Sequence, residues 1–361
     1  MAVNEEESER NLLHDVPRPT GANTVLASLA AALQASGEDI SYEFLMGVSS
    51  RAFRLQFCWC PSAPHSHCGF NTFDPAIKAI GYESKDYMLA CWEQETRKCR
   101  EATEDELNEA RDAVRASIES GMPVLLNSHE CSLIAGHESP SDKNPTGWLQ
   151  RPGPLGPPPT DDEPYTMPVE QIPWCITTIK RSASKPPDRM ESIVWSLKKA
   201  VENAHADKIG LYSTGFAAYD RWIRELADLR PVIGESQEYL DKYDSDESAP
   251  FGVQVGNAWC YESLHDARKQ AAAYLRSIAG DFGEAAAEHL RAAADEYDAV
   301  VHELIDGLKC FTHLAPYPWM EDIKWDNEKR AEQAERLKKA LPHERKAIDH
   351  IAVALKEEGL F

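Results

Sequence analysis

The sequence predicts an α+β fold in which a mixed N-terminal half precedes a helical C-terminal half. Two short apolar runs, "PVLLN" and "CSLIAG", are bounded by turn residues, as is typical of buried strands. They follow a stretch with clear helical periodicity, "TEDELNEARDAVRASIESG". From about Arg189 onward, apolar residues recur every three or four positions, which indicates packed helices. We therefore expect a flexible leader over 1–14, an α+β domain over 15–188 and a helical domain over 189–361.

Composition narrows the class of partner. The formal charge is −22, from 60 acidic and 38 basic residues, and this negative field disfavours nucleic acid and anionic membranes as partners. No run approaches the roughly 18 apolar residues of a membrane span, and the N-terminus lacks the apolar core of a secretory signal. Nine cysteines in such a chain predict reduced thiols in a cytoplasmic protein. Six of them are expected to be small buried apolar residues: Cys91, Cys99, Cys131, Cys175, Cys260 and Cys310.

The N-terminal half carries recognisable helix signals. The apolar residues at 25, 26, 29 and 33 share one face of a first helix, and Gly37 supplies its stop. A short second helix is expected near 42–46, and "AFRLQFCW" reads as a strand. Thr103 and Glu106 have the spacing of a capping box, so a helix should begin there and end at Gly121. The order of elements then places the polar residues between "PVLLN" and "CSLIAG" at one end of a sheet.

Other segments are expected to connect elements or to form helices. The seven prolines within 152–168 predict a long surface loop, a lid or an inert connector. The charged stretch 241–250 reads as a linker between helical blocks. The C-terminal stretch predicts two helices, with Pro342 at the start of the second.

Three stretches together resemble a known family. They are "LASLAAALQASGEDISYEFLMGVSSRAFRLQF", "GMPVLLNSHECSLIAGHE" and the later "GFAAYDRWIREL", "ARKQAAAYL" and "HLRAAADEYD". They resemble bacterial proteins related to the butirosin-biosynthesis acyltransferase group, over roughly residues 15–310. The N-terminal part of that group is similar to the papain-like C39 peptidase fold. The resemblance therefore implies a papain-like α+β core over 15–188 with a helical C-terminal region.

The resemblance also implies where a catalytic pair would stand. Papain-like enzymes place a cysteine at the start of the first helix, whose N-terminus lowers the thiol pKa, and a histidine at the start of a later strand. Asn23 or Thr24 stands at the first position, and Glu130, six residues before Gly136, stands at the second. His129 is one residue earlier and would point to the opposite face of a strand. The resemblance thus implies a cleft without its cysteine–histidine pair.

The stretch "FCWCPSAPHSHC" concentrates soft ligands in one loop. Its candidate metal ligands, for which zinc is the expected ion, are Cys58, Cys60, His65, His67 and Cys68. The spacing lacks the C-x-x-C pairs common in structural zinc sites. Alternatively, Cys60 or Cys68 is a displaced nucleophile with His65 or His67 as its base. In the third interpretation the loop only packs, with its aromatic residues in the core.

The leading interpretation is a pseudoenzyme that binds a small molecule or a peptide-like ligand in the vestigial cleft. Its candidate ligand-binding residues are Asn23, Thr24, Arg54, Trp59, Cys131 and His137. The first alternative is a hydrolase or an acyl or amide transferase acting on a small metabolite, with candidate catalytic residues Cys60, Glu130 and His129. A buried Glu130 would be either a general base or an ion-pair partner of Arg51 or Arg54. The second alternative is a zinc-binding protein. The helical half offers a possible homodimer surface.

Overall fold

We describe the protein from a computed structural model of the chain. The structure describes residues 9–59, 71–93, 98–127, 131–139, 147–151, 165–168, 175–210, 212–234, 251–305 and 325–361. It is an α+β protein that divides into two compact units. Unit 1 comprises residues 1–42 and 80–186, and unit 2 comprises residues 43–79 and 187–361. The sequence suggested continuous domains over 15–188 and 189–361. The division differs from these because the segment 43–79 belongs with the C-terminal helices.

Unit 1 is built on a seven-stranded antiparallel sheet. Six of its strands follow the spatial order β3-β10-β6-β7-β8-β9, and β1 pairs with β7. A separate hairpin joins β4 and β5. The strands of this unit are β1 (Glu9–Leu12), β3 (Tyr82–Met88), β4 (Ala90–Glu93), β5 (Lys98–Glu101), β6 (Val124–Asn127), β7 (Cys131–Ser139), β8 (Gly147–Arg151), β9 (Tyr165–Pro168) and β10 (Cys175–Arg181).

Among the described residues of unit 1, two helices pack on this sheet. Helix α1 (Thr24–Ala35) lies against β6 and β7, and α4 (Glu104–Glu119) packs against β6, β7 and β10. Both predicted "PVLLN" and "CSLIAG" strands are present as β6 and β7. The predicted capping box is confirmed, because the Thr103 side chain accepts from the Glu106 backbone N–H while the Glu106 carboxylate accepts from the Thr103 N–H.

The N-terminal segment contributes to the sheet. Residues 9–12, which the sequence assigned to the flexible leader, form β1 and pair with the far end of β7. Leu13 follows the strand, and its N–H donates to the Ala135 carbonyl at 2.8 Å. Apolar side chains in the leader were too few to reveal this pairing, which rests on backbone hydrogen bonds.

Unit 2 is largely helical. The helices in its described residues are α2 (Tyr42–Val48, which spans the unit boundary), α3 (Phe73–Ala79), α5 (Arg189–His205), α6 (Gly215–Ala227), α7 (Arg230–Ile233), α8 (Phe251–Ile278), α9 (Glu284–Leu304) and α10 (Asn327–Glu357). A small sheet has the order β11 (Lys208–Ile209), β12 (Tyr212–Thr214) and β2 (Gln56–Phe57). Only the end of the predicted "AFRLQFCW" strand is extended, since residues 51–53 form a 3-10 turn.

A buried ion pair crosses the core of unit 2. The Arg268 guanidinium donates two hydrogen bonds of 2.7 Å to the Glu344 carboxylate, and both side chains are at most 3% exposed. Tyr219 donates its hydroxyl to the same carboxylate, and Arg268 also donates to the Ala52 carbonyl at 2.8 Å. These extra bonds satisfy the charges that burial would otherwise leave costly. The pair therefore fixes the segment around residue 52 to the long C-terminal helices.

The prediction of two C-terminal helices is wrong, because α10 runs continuously through Pro342. A proline inside a helix removes one hydrogen bond and usually bends or ends it. Here the residues on both sides are held by side chains of neighbouring helices: His343 contacts Glu296, and Glu344 contacts Arg268. Pro342 itself lies on the exposed side. Tertiary packing thus overrides the local propensity.

Within the described part of the chain, none of the helices is both long and apolar enough to span a lipid bilayer.

Candidate functional site

The candidate site lies at one end of the unit 1 sheet and takes side chains from four neighbouring strands. Asn127 ends β6, and it pairs with Cys131 of β7 on one side and with Cys175 of β10 on the other. Residues directly opposite each other on neighbouring antiparallel strands project to the same face. The side chains of Cys131, Asn127 and Cys175 therefore stand side by side.

Strand alternation identifies the face that carries these side chains. Val124 and Leu126 of β6 belong to the apolar core that includes Val114 and Ile118 of α4. Because successive side chains of a strand point to opposite faces, Asn127 projects to the other face, which is the α1 face. The α4 face is thus apolar, whereas the α1 face becomes polar at its end.

The start of α1 is defined by Asn23. Its side-chain Oδ1 accepts from the Leu26 N–H at 3.0 Å, so Asn23 caps the helix, as its position predicts. Its own N–H donates to the Tyr42 hydroxyl at 3.0 Å. The Tyr42 ring can approach only because residue 21 is a glycine, since a Cβ there would lie 2.4 Å from the ring. The side-chain oxygen of Asn23 therefore already accepts a hydrogen bond from its own helix.

Two hydrogen bonds join α1 to the start of β7. The Cys131 N–H donates to Thr24 Oγ1 at 3.0 Å, and Ser28 Oγ donates to the Cys131 carbonyl at 3.0 Å. All three residues are buried. The structure therefore brings Asn23, Thr24 and Cys131 together, three of the six residues that the sequence singled out for ligand binding.

A hydrogen-bonded chain continues across the sheet toward solvent. Asn127 Nδ2 donates to Thr177 Oγ1 at 3.1 Å, and Thr177 Oγ1 donates to Asp86 Oδ1 at 2.6 Å. Cys175 Sγ lies 4.0 Å from the same threonine oxygen. We call Cys131, Asn127, Cys175, Thr177 and Asp86 the polar row. It runs from buried Cys131, through half-buried Asn127, to exposed Asp86.

The protonation of Cys175 bears on what the polar row can do. Burial raises the pKa of the Cys175 thiol, and the nearby Asp86 carboxylate raises this pKa further. The thiolate is the nucleophilic form of cysteine, so a raised pKa leaves little of it at neutral pH. Cys175 is therefore set up as a neutral hydrogen-bonding and packing group.

His137, also singled out from the sequence, lies elsewhere on β7. Six residues of a strand separate it from Cys131, which is roughly 20 Å at the usual rise per residue. It is buried, and this burial together with the charge of Arg115 on α4 lowers its pKa. A β-bulge between Ile134 and Gly136 interrupts the strand before it. His137 is thus not part of the polar row.

Arg54 and Trp59 belong to unit 2. Arg54 is buried, and its carbonyl accepts from the Arg268 guanidinium at 3.4 Å. Trp59 donates its indole N–H to Glu225 at 2.6 Å and packs edge-to-face on Phe57. In unit 2 both residues have structural contacts that hold the helical core together.

The remaining predicted residues fall outside the described part of the chain. They are Cys60, His65, His67, Cys68, His129 and Glu130. Cys58 is described and is half-buried. Among the described residues, no group of three or more His, Cys, Asp or Glu side chains could hold a metal ion.

Sequence reasoning missed Asn127, Thr177 and Asp86, and it treated Cys175 as an apolar core residue. It did place the polar residues between β6 and β7 at a sheet end, and Asn127, the last residue of β6, directly precedes them. The spacing of Cys175 and Thr177, two residues apart on one strand, was a further signal, since such residues share a face. The pairing of β10 with both β6 and β3 was needed to bring them together.

Comparison with known proteins gives no independent guide to function, because the chain matches no family model and no curated protein.

Proposed function

We propose that this chain is a non-catalytic relative of the papain-like cysteine peptidases and that unit 1 binds a small molecule or a peptide-like ligand at the polar row. The observation that carries the proposal is the junction of α1 with β7. The Thr24–Cys131 and Ser28–Cys131 hydrogen bonds join a helix start to a strand start, the arrangement that the resemblance implies for a peptidase cleft. Asn23 occupies the helix start where a thiol is expected.

The side chains at this junction support binding rather than thiol catalysis. A cysteine nucleophile needs a depressed pKa and an adjacent base. Asn23 and Thr24 carry no thiol, and their side-chain oxygens accept from backbone N–H groups. Cys175 has a raised pKa, and His137 lies far along β7. Each of these features disfavours a cysteine–histidine mechanism among the described residues.

The polar row has the hydrogen-bonding character that a peptide-like ligand requires. The Asn127 side chain both donates and accepts, and Asp86 accepts only, so the row matches a ligand with N–H donors beside a carbonyl. Asp86 is exposed and Asn127 is half-buried, which leaves the outer end of the row within reach of solvent. Ligand pockets commonly combine a few such polar groups with apolar surroundings.

A binding experiment with matched variants tests the proposal. A panel of N-acetyl dipeptide amides is screened against the full chain by saturation-transfer NMR. The variants Asn127→Ala and Thr177→Val remove groups of the row, whereas Thr178→Val makes the same chemical change at the next position, which points to the opposite face. One lost hydrogen bond of about 1 kcal/mol weakens binding about fivefold.

We expect weaker binding in the two row variants and unchanged binding in Thr178→Val. Equal binding by all proteins would place the ligand elsewhere. Cleavage or acyl transfer of a dipeptide amide would instead favour the enzyme interpretation. Rapid labelling of one cysteine by iodoacetamide, far ahead of the others, would support that alternative.

A further inference from the structure

A pair of histidines bridges two antiparallel helices of unit 2. His289 Nδ1 on α9 lies 3.1 Å from His350 Nδ1 on α10, and the ring centroids are 5.4 Å apart. Both side chains are half-buried. One nitrogen must donate and the other must accept, so the contact requires that at least one imidazole be neutral.

The helix register fixes this pair in place. Seven residues further along α9, Glu296 contacts His343 of α10 at 2.5 Å. Another seven residues along, the Glu303 carbonyl accepts from Arg336 at 3.2 Å. Each step of seven on α9 matches a step of seven back along α10, as in a regular antiparallel helix pair. His289 and His350 are therefore presented to each other by the same rigid packing.

The geometry of the pair is close to that of a metal chelate. Zinc–nitrogen bonds of about 2.0–2.1 Å at a tetrahedral angle place two ligand nitrogens about 3.3 Å apart. The observed separation of 3.1 Å differs from this by about 0.2 Å. Chelation requires both rings to turn, so that each Nδ1 lone pair points to one ion and neither nitrogen donates to the other.

The helix positions around His289 carry small side chains. The helix positions three and four residues from His289 are Ala285, Ala286, Ala292 and Ala293, whose side chains are small. On α10, Lys346 stands four residues before His350, and its ammonium lies 3.5 Å from the Glu296 carboxylate. No third His, Cys, Asp or Glu completes the site among the described residues. Water or an external group would have to fill the remaining positions.

We propose that His289 and His350 form a two-histidine site for a divalent transition-metal ion, with Zn²⁺ as the reference ion. Imidazole nitrogens suit Zn²⁺, Ni²⁺ and Cu²⁺ rather than Mg²⁺ or Ca²⁺. With two protein ligands among the described residues, the ion keeps open positions and exchanges readily, unlike a closed structural zinc site.

The test uses full-length protein freed of metal by chelation. Thermal unfolding and equilibrium dialysis are measured with and without Zn²⁺ for the wild type, His289→Ala and His350→Gln. His302→Ala is the matched control, since His302 is an exposed histidine on the same helix. Helical circular dichroism establishes that each variant is folded.

At a Zn²⁺ concentration about ten times Kd, we expect the wild-type unfolding midpoint to rise by about 2 °C. This rise should disappear in both His289→Ala and His350→Gln, with the loss of one bound ion per chain, and persist in His302→Ala. The proposal is overturned if the wild type shows no rise, or if both site variants keep the wild-type stoichiometry. The polar row is untouched by these variants, so the outcome is independent of the proposed ligand binding.

Discussion

Two buried glutamines of unit 2 give opposite predictions for the same substitution. Gln333 is fully buried, and its Oε1 accepts from Asn257 at 3.2 Å and from Trp325 at 3.2 Å. Its Nε2 donates to Asn257 Oδ1 at 3.0 Å. Gln56 is 2% exposed, yet neither its Oε1 nor its Nε2 makes a hydrogen bond among the described residues.

The Gln→Met substitution nearly preserves shape and removes only the polar atoms. In Gln333→Met, two buried N–H donors lose their acceptor, and each loss costs about 1–3 kcal/mol, so the expected destabilisation is about 2–6 kcal/mol. In Gln56→Met, no partner is lost and two unpaired polar atoms leave the core. That change should be neutral or stabilising by about 1–3 kcal/mol.

The assay is urea unfolding followed by tryptophan fluorescence, which reports on unit 2 through buried Trp222 and Trp325. Transition midpoints are compared at unchanged slope, since a change in slope would signal a different unfolding reaction. The reasoning is refuted if Gln56→Met lowers the midpoint as much as Gln333→Met does. Gln56 would then have a partner in solution.

Three further predictions concern pH, packing and capping. The pKa of His137 is lowered, so its stabilising effect is present above its unfolded pKa, about 6.5, and is lost as the pH falls below that value. The urea midpoint should therefore drop more between pH 7.5 and 5.5 in the wild type than in His137→Gln. Parallel pH curves for the two proteins would contradict this. Gly47→Ala places a Cβ 2.0 Å from the buried Tyr274 ring and should destabilise by at least about 1–3 kcal/mol, whereas Gly280→Ala, with open space around its Cβ, should not. Thr103→Ala removes the α4 cap and should cost about 1 kcal/mol in urea unfolding, and no change would show that the capping bond contributes nothing.

Local signals predicted many elements of unit 1. The caps at Asn23 and Thr103, the stop at Gly37 and the two apolar strand runs each depend on residues close together in the sequence. These features could therefore be predicted from the sequence, and the structure contains α1, α4, β6 and β7. Strand β1 was not predicted, because it depends on pairing with a strand more than 120 residues away.

The candidate site was only partly predictable for the same reason. Asn23 and Thr24 were found through a helix start, and Cys131 through a strand start. Asp86 and Thr177 become neighbours only because β10 inserts between β3 and β6, a pairing that no local pattern encodes. Pro342 shows the converse, since a strong local signal for a break was overridden by the partners of His343 and Glu344.

The discontinuous make-up of unit 2 limits how this protein can be divided or recombined. Arg268 on α8 donates to the carbonyl of Ala52, and Trp59 donates to Glu225 on α6, so the segment 43–79 supplies interior parts of the helical unit. A cut near residue 188 would strip those parts from the C-terminal fragment and leave buried hydrogen-bond donors and an apolar surface open to water. Gene fusions, truncations and module exchange should therefore keep residues 43–79 together with 187–361, although these stretches are far apart in the gene.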